Sequence, residues 1–303
     1  MTVAPAGEDD RPIGVFDSGF GGLTVLRALI DLLPRERFVY VGDTGRYPYG
    51  PRPPVQVLQF SRQIATYLAD VERAKMVVVA CNTAASASLE TLRAELAVPV
   101  VGVIEPGIRA ALDATRNASV GVIGTVGTIA SGAYQRAAGR LAPGVDVHCA
   151  ACPGFVEFVE RGETESDQVH VLAERLLAPL RDAGIDTMLL GCTHYPFLAR
   201  TIGDVMGRGV LLVSSADETA FDVRRALGRS EPSPTGEGRG TGAKGAAAAA
   251  GAGRGPGAAP DRRHRFLSSG DLGWFVEMGR RLLGPELDAA DPVTFQPAGR
   301  KEP

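Results

Sequence analysis

Short runs of β-branched and other apolar residues alternate along the chain with longer stretches in which apolar residues recur every three or four positions. Pro12-Ile-Gly-Val-Phe-Asp17, Phe38-Val-Tyr-Val41, Met76-Val-Val-Val-Ala80 and Val98-Pro-Val-Val-Gly-Val103 read as strands. Leu23 to Leu33, Val55 to Leu68 and Ala84 to Leu96 read as helices, the first stopped by Pro34. The Met76 run has no polar side, which is the mark of a strand buried on both faces. Strands and helices in this alternation predict a parallel sheet with helices against its faces.

The pattern then restarts. Val120-Gly-Val-Ile-Gly-Thr125 has the form of Ile13-Gly-Val-Phe-Asp-Ser18, 107 residues on from Gly14 to Gly121. Thr187-Met-Leu-Leu-Gly-Cys192 repeats the strand that ends at Cys81, 111 residues on from one cysteine to the other. Two near-equal offsets predict an α/β protein of two similar doubly wound parallel-sheet domains, with the active site in the cleft between them. The expected boundaries give a flexible N-terminus at 1–11, a first domain of 12–102 plus 211–227 and 262–296, and a second domain of 103–210. Asp217 to Leu227 reads as a helix packed back on the first domain. From 228 to 261 the chain is mostly Gly, Ala, Pro and Ser, which predicts a disordered linker, because such a composition buries too little to offset its ordering entropy. His264 to Leu267 and Leu272 to Leu283 then read as a strand and a helix docked on the first domain.

Composition narrows the classes. At 303 residues and 45% hydrophobic the chain has ample material for packed cores, and no apolar run approaches the ~20 residues of a membrane span. The acidic start at Met1 to Arg11 lacks a signal-peptide pattern, so a cytoplasmic protein is expected. A net charge of −3 gives no electrostatic reason to expect a nucleic-acid partner. Four cysteines in a chain this long are not a disulfide scaffold. Of the three lysines, Lys244 and Lys301 lie in the linker and the terminus, and Lys75 sits at the amino end of its strand, away from the ligand edge. None is placed to form the Schiff base that pyridoxal phosphate requires.

The candidate chemistry lies at two strand ends. Cys81 is followed by Asn82 and Thr83, and Cys192 by Thr193 and His194, each set at the carboxyl end of a parallel strand where open α/β sheets bind ligands. Two thiols facing each other across a cleft can bracket one small molecule. One as thiolate removes a proton while the other as thiol delivers one to the opposite face, which is what inverting a carbon acid requires. Ser18, Asn82, Thr83 and Thr193 supply amides and hydroxyls for an α-carboxylate and the charge developing on it. His194 is placed to bias the ionisation of Cys192. A thiol hydrolase would leave the second cysteine unexplained. Cys149-Ala-Ala-Cys152 has redox or zinc spacing but no second pair completes a metal site, so packing is expected there. Ser18-Gly-Phe-Gly-Gly22 fails the dinucleotide fingerprint at Thr24, and its glycines are read as letting the backbone approach a small anion.

Ile13 to Thr24, Tyr40-Val-Gly-Asp-Thr44 with Tyr47-Pro-Tyr-Gly-Pro-Arg52, Ala80-Cys-Asn-Thr-Ala84 and Gly191-Cys-Thr-His-Tyr-Pro196 closely resemble the bacterial glutamate racemases over about Arg11 to Leu227. The resemblance implies cofactor-independent interconversion of L- and D-glutamate for peptidoglycan synthesis, with no metal. It implies that Cys81 is the base for D-glutamate, assisted by Asp17, and Cys192 the base for L-glutamate, assisted by His194. The substrate-binding pairs it implies are Asp17-Ser18, Tyr49-Gly50, Asn82-Thr83 and Thr193-His194, with Asp43 and Glu160 as further acidic residues of the site. Glu157 stands where the family usually has proline, and the Gly/Ala stretch interrupts a C-terminal region that the family carries without it. A homodimer is expected. Two other readings stay open at this point. One is a racemase for aspartate or another acidic amino acid, or a decarboxylase, on the same fold. The other is a binding role, since some glutamate racemases also restrain DNA gyrase.

Overall fold

A computed structural model describes residues 9–228 and 264–295. Most of the expected N-terminal tail, nearly all of the expected linker, and Lys244 and Lys301 lie outside the described residues. In chain order the regular elements begin with β1 (Ile13–Asp17), α1 (Leu23–Leu32), β2 (Phe38–Gly42), α2 (Pro54–Thr66), β3 (Met76–Val79), α3 (Asn82–Glu95) and β4 (Val100–Gly102). They continue with α4 (Ile104–Ala114), β5 (Ser119–Gly124), α5 (Val126–Ala130), α6 (Ala133–Leu141), β6 (Asp146–Ala151), α7 (Phe155–Arg161), α8 (Asp167–Asp182), β7 (Thr187–Gly191) and α9 (Ala199–Met206). The last are β8 (Leu211–Ser214), α10 (Ala216–Ala226), β9 (Arg265–Ser268), α11 (Leu272–Leu283) and β10 (Asp291–Pro292).

The strands form two all-parallel sheets, ordered β10-β9-β2-β1-β3-β4 and β6-β5-β7-β8. Four strands of the first sheet, β2-β1-β3-β4, have the same order as the whole of the second. The repeat seen in the sequence is therefore a repeat of topology. In each sheet the chain leaves the first strand of the repeat (β1 or β5), places the next strand on one side and the third on the other. That reversal is the switch point at which α/β sheets open a crevice beyond their carboxyl ends. Asp17 ends β1 and Cys81 follows β3; Thr125 follows β5 and Cys192 follows β7.

The apolar runs behave as their composition requires. Every residue of β1, β2, β3 and β7 is buried, while the edge strands β6 and β8 are partly exposed. Helix α3 starts at Asn82, two residues earlier than its apolar pattern suggests, because Cys81 itself is the cap: its sulfur accepts from the Ala84 amide at 3.4 Å. The predicted helix after Val55 closes with a single π-helical turn at Tyr67–Val71.

The domain boundary expected at 210/211 is corrected. Leu211–Ser214 pairs with β7, so β8 belongs to the second sheet, in the place that β4 holds in the first. Helix α10, immediately after it, packs on α1 of the first lobe. Strand β9 pairs with β2, and β10 with β9, which adds two strands to the first sheet from the far end of the chain. No helix among the described residues is long and apolar enough to cross a membrane.

Candidate active site

The two switch points face one another across a cavity of about 100 Å³. Its walls include Ser18, Tyr49, Gly50, Cys81, Asn82, Thr83, Cys192, Thr193 and His194. Nine of the residues singled out in the sequence, from four separate stretches, thus meet at one place.

On the first lobe, Cys81 sits where β3 gives way to α3 and is 5% exposed. Its thiol donates to Ser18 Oγ at 3.6 Å. Burial and the neighbouring Asp17 carboxylate push the thiol up to about 12, against a smaller downward pull from the Ala84 and Ser18 amides and the Ser18 hydroxyl. Asp17 is fully buried and does not line the cavity. Its Oδ2 accepts from the Gly19 amide at 2.9 Å, which holds the carboxylate at the start of the Ser18–Gly22 turn.

On the second lobe, Cys192 is 7% exposed and followed by a tight 3₁₀ turn, Tyr195–Leu198. Burial drives its thiol well above its ordinary range, and the His194 and Tyr195 amides oppose this. His194 Nδ1 stands 4.0 Å from the sulfur, and its Nε2 is 3.3 Å from Glu160 Oε1. Glu160 is therefore not a wall of the cavity but the outer member of a thiol–imidazole–carboxylate row. The Phe20 ring meets the imidazole edge-on at 4.9 Å between centroids, and Tyr47 lies over it at 6.2 Å.

Contacts between the lobes frame the cavity. The hydroxyls of Thr83, Thr125 and Thr128 form a closed triangle with sides of 2.9, 3.1 and 2.9 Å. The Gly127 amide donates to the Gly50 carbonyl at 3.0 Å, and Thr193 Oγ1 donates to Asp17 Oδ1 at 3.4 Å. Asn82 Nδ2 donates to the Tyr134 hydroxyl at 2.7 Å. The Ser18–Gly22 turn needs its glycines for this docking. A Cβ on Gly21 would fall 2.5 Å from Thr193 Oγ1 and 2.7 Å from His194 Nδ1.

Asp43 stands apart from the cavity. It is fully buried, accepts from Arg46, from the Tyr49 hydroxyl and from Ser269 Oγ, the last at 2.6 Å, and so braces the Tyr47–Gly50 segment from behind. With its hydroxyl engaged there, Tyr49 offers the cavity its backbone and ring rather than its phenol. Sequence reasoning missed Thr128 and Tyr134, gave no site role to Tyr47 or Thr125, and read Cys152 as packing. Thr125 carried a signal, since it is the repeat counterpart of Ser18 and caps α5 through Thr128 N. Cys152 lines the cavity, while Cys149 lies in β6 away from it; all four cysteines are free. Among the described residues no group of three or more His, Cys, Asp or Glu is arranged to hold a metal. Lys75 pairs with Glu36, at the amino end of β3.

Comparison with known proteins agrees with this geometry. The model of the Asp/Glu/hydantoin racemase family matches residues 13–221. A glutamate racemase of Beutenbergia cavernae is 50% identical over 282 residues, covering 92% of this chain and 91% of that protein. Among solved structures, a glutamate racemase isoform from Bacillus anthracis superposes with a TM-score of 0.79 at 38% identity, over 93% of this chain and 97% of the other. The glutamate racemase of Francisella tularensis gives a TM-score of 0.79 at 28% identity, over 95% and 99%. Two parallel-sheet lobes, a cavity with a thiol on each side, and relatives of this closeness over nearly the whole chain lead to one assignment: the protein is an isomerase of the Asp/Glu/hydantoin racemase family and belongs with its glutamate racemases.

Proposed function

We propose that the chain inverts glutamate by a cofactor-independent mechanism with two bases, Cys81 and Cys192, one on each face of the substrate. The observation that carries this reading is the pair of thiols at equivalent strand ends of two equivalent lobes, both on the wall of one cavity. Starting from L-glutamate, the Cys192 thiolate takes the α-proton and becomes a thiol. The electron pair left on Cα delocalises into the α-carboxylate, and the Cys81 thiol gives its proton to the opposite face and becomes a thiolate. The return reaction exchanges the roles. One proton is taken up and one released, so nothing else is consumed.

The two thiols have different helpers. Asp17 lies beside Cys81, and His194, oriented by Glu160, lies beside Cys192. Both sulfurs are held above their ordinary range, which makes each a strong base once deprotonated, as a weak carbon acid demands. The ammonium group of the incoming amino acid brings positive charge beside them and favours the thiolate. The backbone amide of Asn82 and the hydroxyls of Ser18, Thr83 and Thr193 at the strand ends are suited to the α-carboxylate. Gly50 and Tyr49 close the other end. The Francisella tularensis relative was solved in complex with D-glutamate, which supports glutamate as the substrate here. Provision of D-glutamate for peptidoglycan, in the cytoplasm, is the role that fits this activity.

The test separates the thiols. Protein dialysed against a chelator is offered both enantiomers of a glutamate analogue bearing a leaving group on the β-carbon. Such a substrate eliminates after one proton abstraction and needs no second base. Cys81→Ala and Cys192→Ala should each lose about 10²–10⁴-fold in racemisation. Cys81→Ala should still eliminate from the L-analogue, and Cys192→Ala from the D-analogue. The same enantiomer preference in both variants would refute the two-base assignment.

A further inference from the structure

Tyr134, on α6 of the second lobe, touches both thiol-bearing corners at once. Its hydroxyl accepts from Asn82 Nδ2 at 2.7 Å, one residue beyond Cys81. Its ring lies so close to Gly191, one residue before Cys192, that a Cβ there would come within 3.0 Å of the ring and 3.1 Å of the hydroxyl. The side chain is 1% exposed, and a phenol at that depth is expected to have its hydroxyl engaged, here by an amide of the opposite lobe. Asn82 is itself 2% exposed and lines the cavity. With Nδ2 held by Tyr134, the other end of the planar amide is Oδ1, which no donor among the described residues meets. A buried amide carbonyl without a donor is rare. On a residue that walls a ligand cavity, it marks the place of a donor that the ligand brings.

We propose that Tyr134 is a positioning residue: by holding Asn82 Nδ2 it presents Asn82 Oδ1 to the α-ammonium group of the bound amino acid, and so selects amino acids over dicarboxylates that lack that group. This rests on the reading of the cavity as a glutamate site. Glutamate carries two carboxylates, which only accept hydrogen bonds, and one ammonium, which only donates. A fixed carbonyl repels the first and welcomes the second. It therefore tells the α-carbon end of the molecule from the side-chain end and keeps Cα between the sulfurs. Without the phenol hydroxyl the amide is free to turn over, and Nδ2 and Oδ1 exchange places.

The experiment uses Tyr134→Phe, which keeps the ring and removes the hydroxyl. KM and kcat are measured for both glutamate enantiomers, together with the inhibition constant of glutarate, which has the same carbon skeleton without the ammonium group. KM should rise about five- to tenfold for both enantiomers, the size of one hydrogen bond made imperfectly. Turnover should stay within about twofold, because the ammonium contact is the same in the ground and transition states. Glutarate should bind as well as before or better, so selectivity for glutamate over glutarate falls by the same five- to tenfold. Equal weakening of glutamate and glutarate would overturn the proposal, since that is what loosened packing, or an Asn82 Nδ2 facing a carboxylate, would do. Should Tyr134→Phe fail to fold, Asn82→Asp decides the matter by the same readout. It keeps an acceptor for the ammonium and should raise selectivity for glutamate over glutarate at least fivefold, whereas unchanged or lower selectivity overturns the proposal. Wild-type protein that does not racemise glutamate would overturn the reading of the site instead, and the proposal with it.

Discussion

A thiol held above its ordinary range is a sluggish nucleophile at rest and a strong base once its proton has gone. Burial and Asp17 raise Cys81 to about 12, and burial raises Cys192 as well, so the protein alone holds both sulfurs protonated at neutral pH. Alkylation reports this directly, because only the thiolate reacts. Modification of the Cys81 peptide by iodoacetamide, followed by mass spectrometry, should quicken about tenfold per pH unit from about pH 7 to about pH 10 without levelling off. A plateau below about pH 9 would reveal an ordinary thiolate and contradict the role given to burial. On the other side Cys192 has different neighbours, with His194 Nδ1 4.0 Å from its sulfur and Glu160 Oε1 3.3 Å from His194 Nε2. The surroundings of the two thiols are thus chemically unlike although the strands that hold them are alike.

At the scale of elements, the turn from Ser18 to Gly22 sets how closely the first lobe approaches Thr193 and His194. Gly21→Ala would drive a methyl group to less than 3 Å from both side chains, so one of them must move. Misplacement on the ångström scale costs up to about 10²-fold in rate, and Gly21→Ala should lose roughly ten- to a hundredfold in turnover while still folding. Steady-state kinetics beside a melting curve checks this; turnover within twofold of wild type would show that the turn can retreat. The strand-to-helix corners were legible in the sequence because each is a local event, an apolar run stopped by a polar residue beside the chain's own turn chemistry. Tyr134 and Thr128 left no such mark, since their partners Asn82 and Thr83 lie in the other lobe and the pairing exists only once the lobes dock. Asp43 was legible as an acid but not as a brace, because its partner Ser269 is 226 residues away. The misplaced β8 has a different cause. Its four residues are partly exposed, so nothing in their own pattern tells one lobe from the other. Extending the repeat by one more strand gives the correct sheet, because β8 answers to β4 as β7 answers to β3.

For the whole molecule, the buried thiols link stability to pH. In the folded chain Cys149 is raised to about 11 and Cys81 and Cys152 to about 12, each chiefly by burial, with Cys192 also raised. Unfolding lets all four ionise near their ordinary value of about 8.5. Below that pH both states hold the protons and stability is unaffected by them. Above it the unfolded state holds fewer protons than the native state, so stability falls as pH rises toward the folded values. The melting temperature should therefore be level from about pH 6.5 to 8 and decline progressively above about pH 9, as followed by circular dichroism; a melting temperature that holds to pH 11 would contradict this. The joining of β9 and β10 to the first sheet, by way of β2, has a consequence for how the molecule is made. As the ribosome releases the chain from its amino end, the second lobe has its last strand, β8, before the first lobe has all of its own. Ser269, which holds Asp43 and through it Tyr49, arrives only with that final stretch. A nascent chain can thus display both cysteines while the floor of the pocket is still unbraced, and activity should begin only when the last strands dock.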